Sequence, residues 1–310
     1  MAFLGIKYKG IQISTNLGQD AVIPQAPGGG GEPTPISTYT AAAGITDETE
    51  INALNQLYSD LIGMGSTPNQ TNVWNELKAF YPMSPTSIDA ACYNLTDPSR
   101  LKLTPINNMG YTQQGFQGAA SSWLDTAGTG DTGYSVDGFV PDNEFTSEIN
   151  FTQFIHATYN ATYSIGSYNG IGSSYYCQRM VNNGRTVYSG SPTGATVNTA
   201  QGTRVSVGVK NSTSVGGVQV YSTNSLGDII SAISTTSETA LFPRFNAAVQ
   251  NPSARMVVSG ILNAQTEAVV SSSSLFKTAG WANALTANQA EDLIRAIENY
   301  NANVIVGGRN

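Results

Sequence analysis

The residues whose types and spacing come nearest to a catalytic pattern are carboxylates in one stretch, Asp137-Gly-Phe-Val-Pro-Asp142-Asn-Glu144-Phe-Thr-Ser-Glu148. A glycosidase needs only two carboxyls flanking a scissile bond, so Asp142 with Glu144, or Glu144 with Glu148, would suffice if both faced one cleft. The Glu-x-Asp-x-x-Glu string of sandwich glucanases does not occur, and the stretch reads equally as a polar loop between strands. A second acidic segment, Asp125-Thr-Ala-Gly-Thr-Gly-Asp131, offers oxygens to a hard cation. It lacks the alternate-position ligands and closing Glu of a calcium loop, so a Gly/Thr loop is the better description. His156 is the one histidine and stands mid-strand in Ile155-His156-Ala157-Thr158-Tyr159. That is a poor place for an exposed base, and Ser/His/Asp or Cys/His systems have no other histidine to use. Cys92 and Cys177 are far apart and read as buried thiols rather than a disulfide or metal pair. The reading is of a non-enzyme with no catalytic residue, cofactor or metal.

Composition narrows the partners. The 310 residues carry 14 Lys+Arg against 21 Asp+Glu, a formal charge of −7, and only 11% are charged. A chain so poor in cations neutralises few phosphates, which argues against nucleic acid. No 18-residue apolar run exists to span a membrane as a helix, and the first residues lack the pattern of a signal peptide, which predicts synthesis in a reducing cytoplasm. The Asn-x-Ser/Thr matches at Asn94, Asn150, Asn160 and Asn211 are then by-products of an Asn/Thr-rich composition. The Tyr/Ser/Gly/Asn mixture from Tyr159 to Tyr176 resembles adaptable binding loops, and Tyr163 and Tyr168, beside glycines, are its expected glycan or partner contacts.

The elements that must position these groups follow in order. Residues 1–23 alternate loosely and read as an anchor of one or two strands carrying Phe3, Leu4, Ile6, Tyr8, Ile11 and Ile13, able to dock on another protein by strand addition. Residues 24–40, with four consecutive glycines among prolines, read as a linker. Residues 41–82 are expected to be helical. Thr46 caps a first helix with an apolar face of Ile51, Leu54, Leu57, Tyr58, Leu61 and Ile62, and Thr71 caps a second carrying Val73, Trp74, Leu77 and Phe80 to Pro82. Residues 83–303 alternate short Val/Ile/Tyr/Phe/Thr runs with Gly, Asn, Ser and Pro, the pattern of an antiparallel sandwich or barrel. Asn182-Asn-Gly184 marks a hairpin, and Val205–Val209 is expected to bury one face and wet the other. A helix over 286–300 opens on a Thr286/Gln289 capping box, buries Ala290, Leu293, Ile294 and Ile297, and shows Glu291, Asp292, Arg295 and Glu298 outward. Residues 304–310 form a tail.

This order resembles a group of bacteriophage virion proteins. Trp74-Asn-Glu-Leu77-Lys78-Ala79-Phe80-Tyr81-Pro82, then Cys92-Tyr-Asn94-Leu95-Thr-Asp97-Pro98, looks like their Lys-Ala-x-Tyr-Pro helix end and Asn-Leu-x-Asp-Pro string. Asp137-Gly-Phe139-Val-Pro141, Leu285-Thr-Ala-Asn-Gln-Ala290 and Ala296-Ile-Glu-Asn-Tyr300 are similar too. The tail, Val304-Ile-Val-Gly-Gly-Arg-Asn, departs from the group's usual Leu-Gly-Arg ending. The resemblance implies a mainly β fold, an antiparallel concanavalin A-like (laminin G-like) jelly-roll sandwich with flanking helices. It also implies a non-enzymatic virion component, such as a head-fibre, decoration or tail-fibre protein. The implied partners are other virion proteins through the N-terminal segment, further copies of the chain, and host-surface carbohydrate. The alternatives are a polysaccharide-degrading tail enzyme on the same fold and a pure assembly module touching neighbouring subunits.

Overall fold

The computed structural model describes residues 6–8, 11–13, 34–127, 151–158, 163–169, 174–181, 184–189, 195–198, 203–210, 218–224, 226–233, 256–263 and 269–309. The chain divides into two units, Met1–Pro33 and Thr34–Asn310. In the first, strands β1 (Ile6–Tyr8) and β2 (Ile11–Ile13) form an antiparallel hairpin whose register pairs Ile6 with Ile13 and Tyr8 with Ile11.

The second unit begins with a helix that straddles the expected boundary, at residue 40, between the linker and the helical segment. Thr34 accepts a hydrogen bond from Ser37 N at 3.1 Å and caps α1 (Pro35–Ala43), which Gly44 ends in the left-handed region. Pro35 looks like a breaker, yet at the first helical position its missing N–H costs nothing and its fixed φ suits the helix. Helix α2 (Glu48–Leu61) follows, with Asp47 rather than Thr46 as its cap. The second expected helix is corrected. Trp74–Glu76 makes a single 3₁₀ turn, and Leu77–Tyr81 is a strand, β3. Trp74, Leu77 and Phe80 recur every third residue, but Ala79 and Tyr81 are equally buried, so the segment is apolar on two faces and periodicity could not separate strand from helix. Asn94 fixes the choice by accepting from Phe80 N at 3.0 Å, and Leu95 N donates to Phe80 O at 2.7 Å.

The remaining strands are β4 (Thr104–Ile106), β5 (Gly110–Thr112), β6 (Gly115–Gln117), β7 (Trp123–Asp125), β8 (Phe151–Ala157), β9 (Tyr163–Asn169), β10 (Ser174–Val181) and β11 (Gly184–Ser189). They continue as β12 (Ala195–Asn198), β13 (Arg204–Lys210), β14 (Val218–Thr223), β15 (Ile229–Ile233), β16 (Val257–Val258), β17 (Gly260–Asn263), β18 (Val269–Ser271) and β19 (Leu275–Ala282). Two sheets result among the described residues of this unit. One runs β15-β14-β13-β8-β19-β6-β5, with β3 also on β19; the other runs β12-β11-β10-β9-β16-β7-β4, with β17 also on β9 and β18 on β17. Every pairing is antiparallel except β17 with β9. The protein is therefore a mainly antiparallel β-sandwich with helices.

The helices form a third layer. Val205, Val207 and Val209 on β13, Phe154 on β8 and Tyr221 on β14 pack in one core with Leu54, Leu57 and Leu61 of α2 and with Leu293, Ile294 and Ile297 of the last helix, α3 (Ala287–Asn303). The opposite face of the same sheet contributes Tyr81, Ile155, Phe276, Ala279 and Trp281 to a second core with Leu124, Ile165 and Val258 of the other sheet. Strand β13 is thus buried on both faces, not wetted on one. The valines meet helices, while Ser206, itself buried, is on the face turned the other way. Helix α3 carries the Thr286/Gln289 capping box. Asp292, expected on its outer face, has no exposed surface.

Candidate functional site

A cavity of about 340 Å³ opens where the N-terminus of α2, the loop after β3, the β5–β6 turn and the chain's last turn converge. Asp47, Thr49 and Glu50 form one wall, Pro85, Thr86 and Gln113 the second, and Val304, Ile305 and Val306 the third. The volume lies at the small end of the range for small-molecule sites.

Glu50 is its chemical centre. Leu54, Leu57 and Leu61 sit four, seven and eleven residues further on, so Glu50 continues the buried stripe of α2 and is only 1% exposed. Thr86 Oγ1 donates to its Oε2 at 2.6 Å, whereas Oε1 is buried with no hydrogen-bond partner. Burial raises the Glu50 pKa above the usual carboxylate range. The Ser84 and Thr86 hydroxyls and the Arg309 charge pull it back, while Asp47 pushes further up. Asp47 uses Oδ1 to cap the helix through Glu50 N at 2.9 Å.

The tail supplies the third wall because it is not free. Arg309, 1% exposed, is seated inside the unit: its N–H donates to Asn301 O at 2.7 Å and its Nη1 to Lys277 O at 3.3 Å and Pro82 O at 3.4 Å. The guanidinium lies 5.6 Å from the Tyr300 ring centroid, and Lys277 Nζ donates to the Arg309 carbonyl. Burial, reinforced by the like charge of Arg309, lowers the Lys277 pKa to about 8. The phenols nearby move the opposite way: burial takes Tyr111 up to about 12 and holds Tyr39 and Tyr300 well above the ordinary tyrosine value.

Among the described residues of the second unit, none of the site candidates singled out from sequence lines this cavity. His156 is buried on β8, paired with Val205 and Thr278. Cys92 and Cys177 are buried and are not joined in a disulfide. Asp125 ends β7, where its Oδ1 accepts from Ala127 N at 2.9 Å; Asp131 lies outside the described residues, as do Asp142, Glu144 and Glu148. Tyr163 and Tyr168 fall on β9, Tyr168 pairing with Tyr175. Ile6, Tyr8, Ile11 and Ile13 fall on the N-terminal hairpin, and Phe3 and Leu4 lie outside the described residues. Among the described residues, no group of three His, Cys, Asp or Glu side chains could hold a metal ion, and no helix is long and apolar enough to cross a membrane. Sequence reasoning did not single out Glu50, whose place in the first turn of the helix reads as a favourable charge at its N-terminus. The signal was its place on the apolar stripe. Arg309 had no local signal.

No protein-family model and no characterised protein sequence matches the chain. Among solved structures, it is similar to a Trypanosoma rangeli sialidase at TM-score 0.45 and 10% identity, over 80% of this chain and 39% of that one. A Shewanella oneidensis protein of unknown function aligns at TM-score 0.32 and 8% identity over 67% of this chain and 87% of its own. Peanut lectin aligns at TM-score 0.29 and 10% identity over 60% and 87%. The chain spans well under half the length of the sialidase. At these scores the likenesses carry no functional argument.

Proposed function

We propose that this chain is a structural component of a bacteriophage particle, attached through its first residues and displaying the sandwich outward without catalysing a reaction. The observation that carries the reading is the division of the chain into a small hairpin unit, Met1–Pro33, and a large unit with its own cores, Thr34–Asn310. The hairpin register pairs apolar residues with one another and Lys7 with Gln12, a pattern suited to strand-mediated attachment. The Trp74–Pro82 and Cys92–Pro98 strings support the virion class. The resemblance is one of sequence alone, since the stretch likened to that group's helix end is a strand here, Leu77–Tyr81. Partners are other virion proteins, copies of the same chain, and host carbohydrate, for which several copies would supply the avidity that one weak sugar contact lacks. The test is complementation of particles with chain lacking residues 1–33. The remainder stays folded and is left out of the particle; normal incorporation would overturn the attachment. Hydrolysis of a host polysaccharide by the purified full chain would favour the tail-enzyme reading instead.

A further inference from the structure

We propose that β15 is an interface strand, pairing antiparallel with β15 of a second copy about a two-fold axis at Ser231. Among the described residues, one sheet ends at β15 and β5 and the other at β12 and β4. Edge strands are ordinarily blunted by brevity, proline or charge. Strands β4 and β5 are three residues long, and β4 contains Pro105. Strand β15, Ile229-Ile-Ser-Ala-Ile233, is the longest of the four and has no proline, glycine or charge. The hairpin with β14 defines its open side. Asn224 N donates to Asp228 O at 2.9 Å, and hydrogen-bonded and non-bonded pairs alternate along an antiparallel ladder. Ser222 with Ile230 and Val220 with Ala232 therefore exchange the β14 bonds, and Ile229, Ser231 and Ile233 turn their N–H and C=O groups away from β14. Ile230 and Ala232 pack with Ala195, Val197, Val218 and Val220, which fixes the strand before a partner arrives.

The occupant follows from self-complementarity, which a two-fold interface requires. Centred on Ser231, the strand sets Ile229 opposite Ile233 of the second copy, Ile230 opposite Ala232, and serine opposite serine, with no charge to repel. The three outward-turned residues are the ones this register bonds, two hydrogen bonds to each pair. Exposed apolar surface lies at both ends of the edge: Ile233 is 54% exposed and Leu226, in the turn before the strand, 84%. Antiparallel pairing brings the Leu226 end of one copy toward the Ile233 end of the other.

The pairing rests on that part of the reading above that names copies of the same chain as partners. Attachment through residues 1–33 is read from particles and the pairing from solution, so either can fail alone. The experiment is sedimentation equilibrium of the full-length protein. One short strand pair buries less than the ~1,600 Å² of a standard interface, so a monomer–dimer equilibrium in the range of about 1–100 µM is expected. Ser231 is exposed, so Ser231→Lys and Ser231→Glu leave melting unchanged. Each sets like charges directly across the axis and is expected to weaken dimerisation about tenfold or more. An equimolar mixture of the two variants restores it, because lysine then faces glutamate; a contact away from the axis would show no such recovery. Ile233→Asp, at an exposed position, is the second weakened variant should either change at Ser231 lower the melting temperature. A monomer up to millimolar concentration, a dimer that none of these variants weakens, or a mixture no stronger than its components would overturn the proposal.

Discussion

Asp292→Ala tests whether the helical layer is stitched to the sandwich as the structure has it. Asp292 is on α3 but has no exposed surface. Its Oδ2 accepts from Thr71 N at 2.8 Å and Thr71 Oγ1 at 2.6 Å, and its Oδ1 from Asn69 N at 3.0 Å and Asn69 Nδ2 at 3.2 Å. The carboxylate thus closes the 62–73 connection that follows α2. Alanine strands two backbone donors and removes a charged acceptor. With each lost charge-assisted bond worth about 1.5–3 kcal/mol and water refilling part of the half-exposed loop, the expected cost is about 3 kcal/mol. At roughly 2–4 °C per kcal/mol for a unit of this size, melting falls by roughly 6–12 °C. Asp292→Asn keeps one oxygen but turns an amide N–H₂ toward existing donors, and should recover less than half of that. The assay is urea unfolding with an unchanged slope, against Glu298→Ala as control, whose i,i+3 contact to Arg295 is half-exposed and worth under about 1 kcal/mol. A loss no greater than that of the control would mean that Asp292 faces water, as the outward reading of the helix has it.

Three further outcomes follow from other parts of the molecule. A Cβ at Gly280 would stand 2.3 Å from Ala79 O and 2.3 Å from Phe154 Cζ, so Gly280→Ala should cost about 2–3 kcal/mol in the same unfolding assay. Burial pushes the Cys92 thiol up to about 12 and its Sγ donates to Ile88 O at 3.1 Å, so a thiol reagent at pH 8 should label it only on unfolding. Two groups give opposite slopes of stability with pH. Glu50 has a raised pKa, so its contribution is complete below the ordinary carboxylate value and lost as pH rises through the folded one. Lys277 has a depressed pKa, so its contribution is complete above about 10.5 and lost as pH falls to about 8. Lys277→Met should therefore remove a rise in stability between pH 8 and 10, and Glu50→Gln a fall on the acidic side, both read from melting curves.

How far the fold was legible follows from which signals are local. Helix α2 and the Thr286/Gln289 box of α3 declare themselves through caps and a 3.6-residue apolar stripe, which need only neighbours in sequence. The antiparallel strands are legible for the same reason. The errors arise where a third layer decides. Val205–Val209 alternates as a half-wet strand does, but its polar positions are buried against the other sheet and its valines lie under helices. Leu77–Tyr81 is apolar at successive positions because it serves two cores. Asp292 looks outward on a helical wheel until the 62–73 connection folds over it. Glu50 was legible in principle, as a carboxylate in line with Leu54, Leu57 and Leu61. Its cavity was not, because the facing wall arrives from some 250 residues later in the chain.

That return of the chain links the low charge content to the site. A sheet covered on both faces presents few positions to water, so a chain with 11% charged residues needs no compensating surface to fold. The cost is that polar groups caught between layers must find partners inside. Lys277 finds the Arg309 carbonyl, and Arg309 reaches Asn301, Pro82 and Lys277 backbone oxygens, while its Nε and Nη2 and the Tyr300 hydroxyl stay buried without a hydrogen bond. These bonds hold the last turn against β19 and the end of β3, which brings Val304, Ile305 and Val306 to the same cavity as Glu50. The buried arginine and the apolar wall are consequently one arrangement. Arg309 thus takes part both in holding the last turn and in offsetting the charge of Glu50, beside the Ser84 and Thr86 hydroxyls.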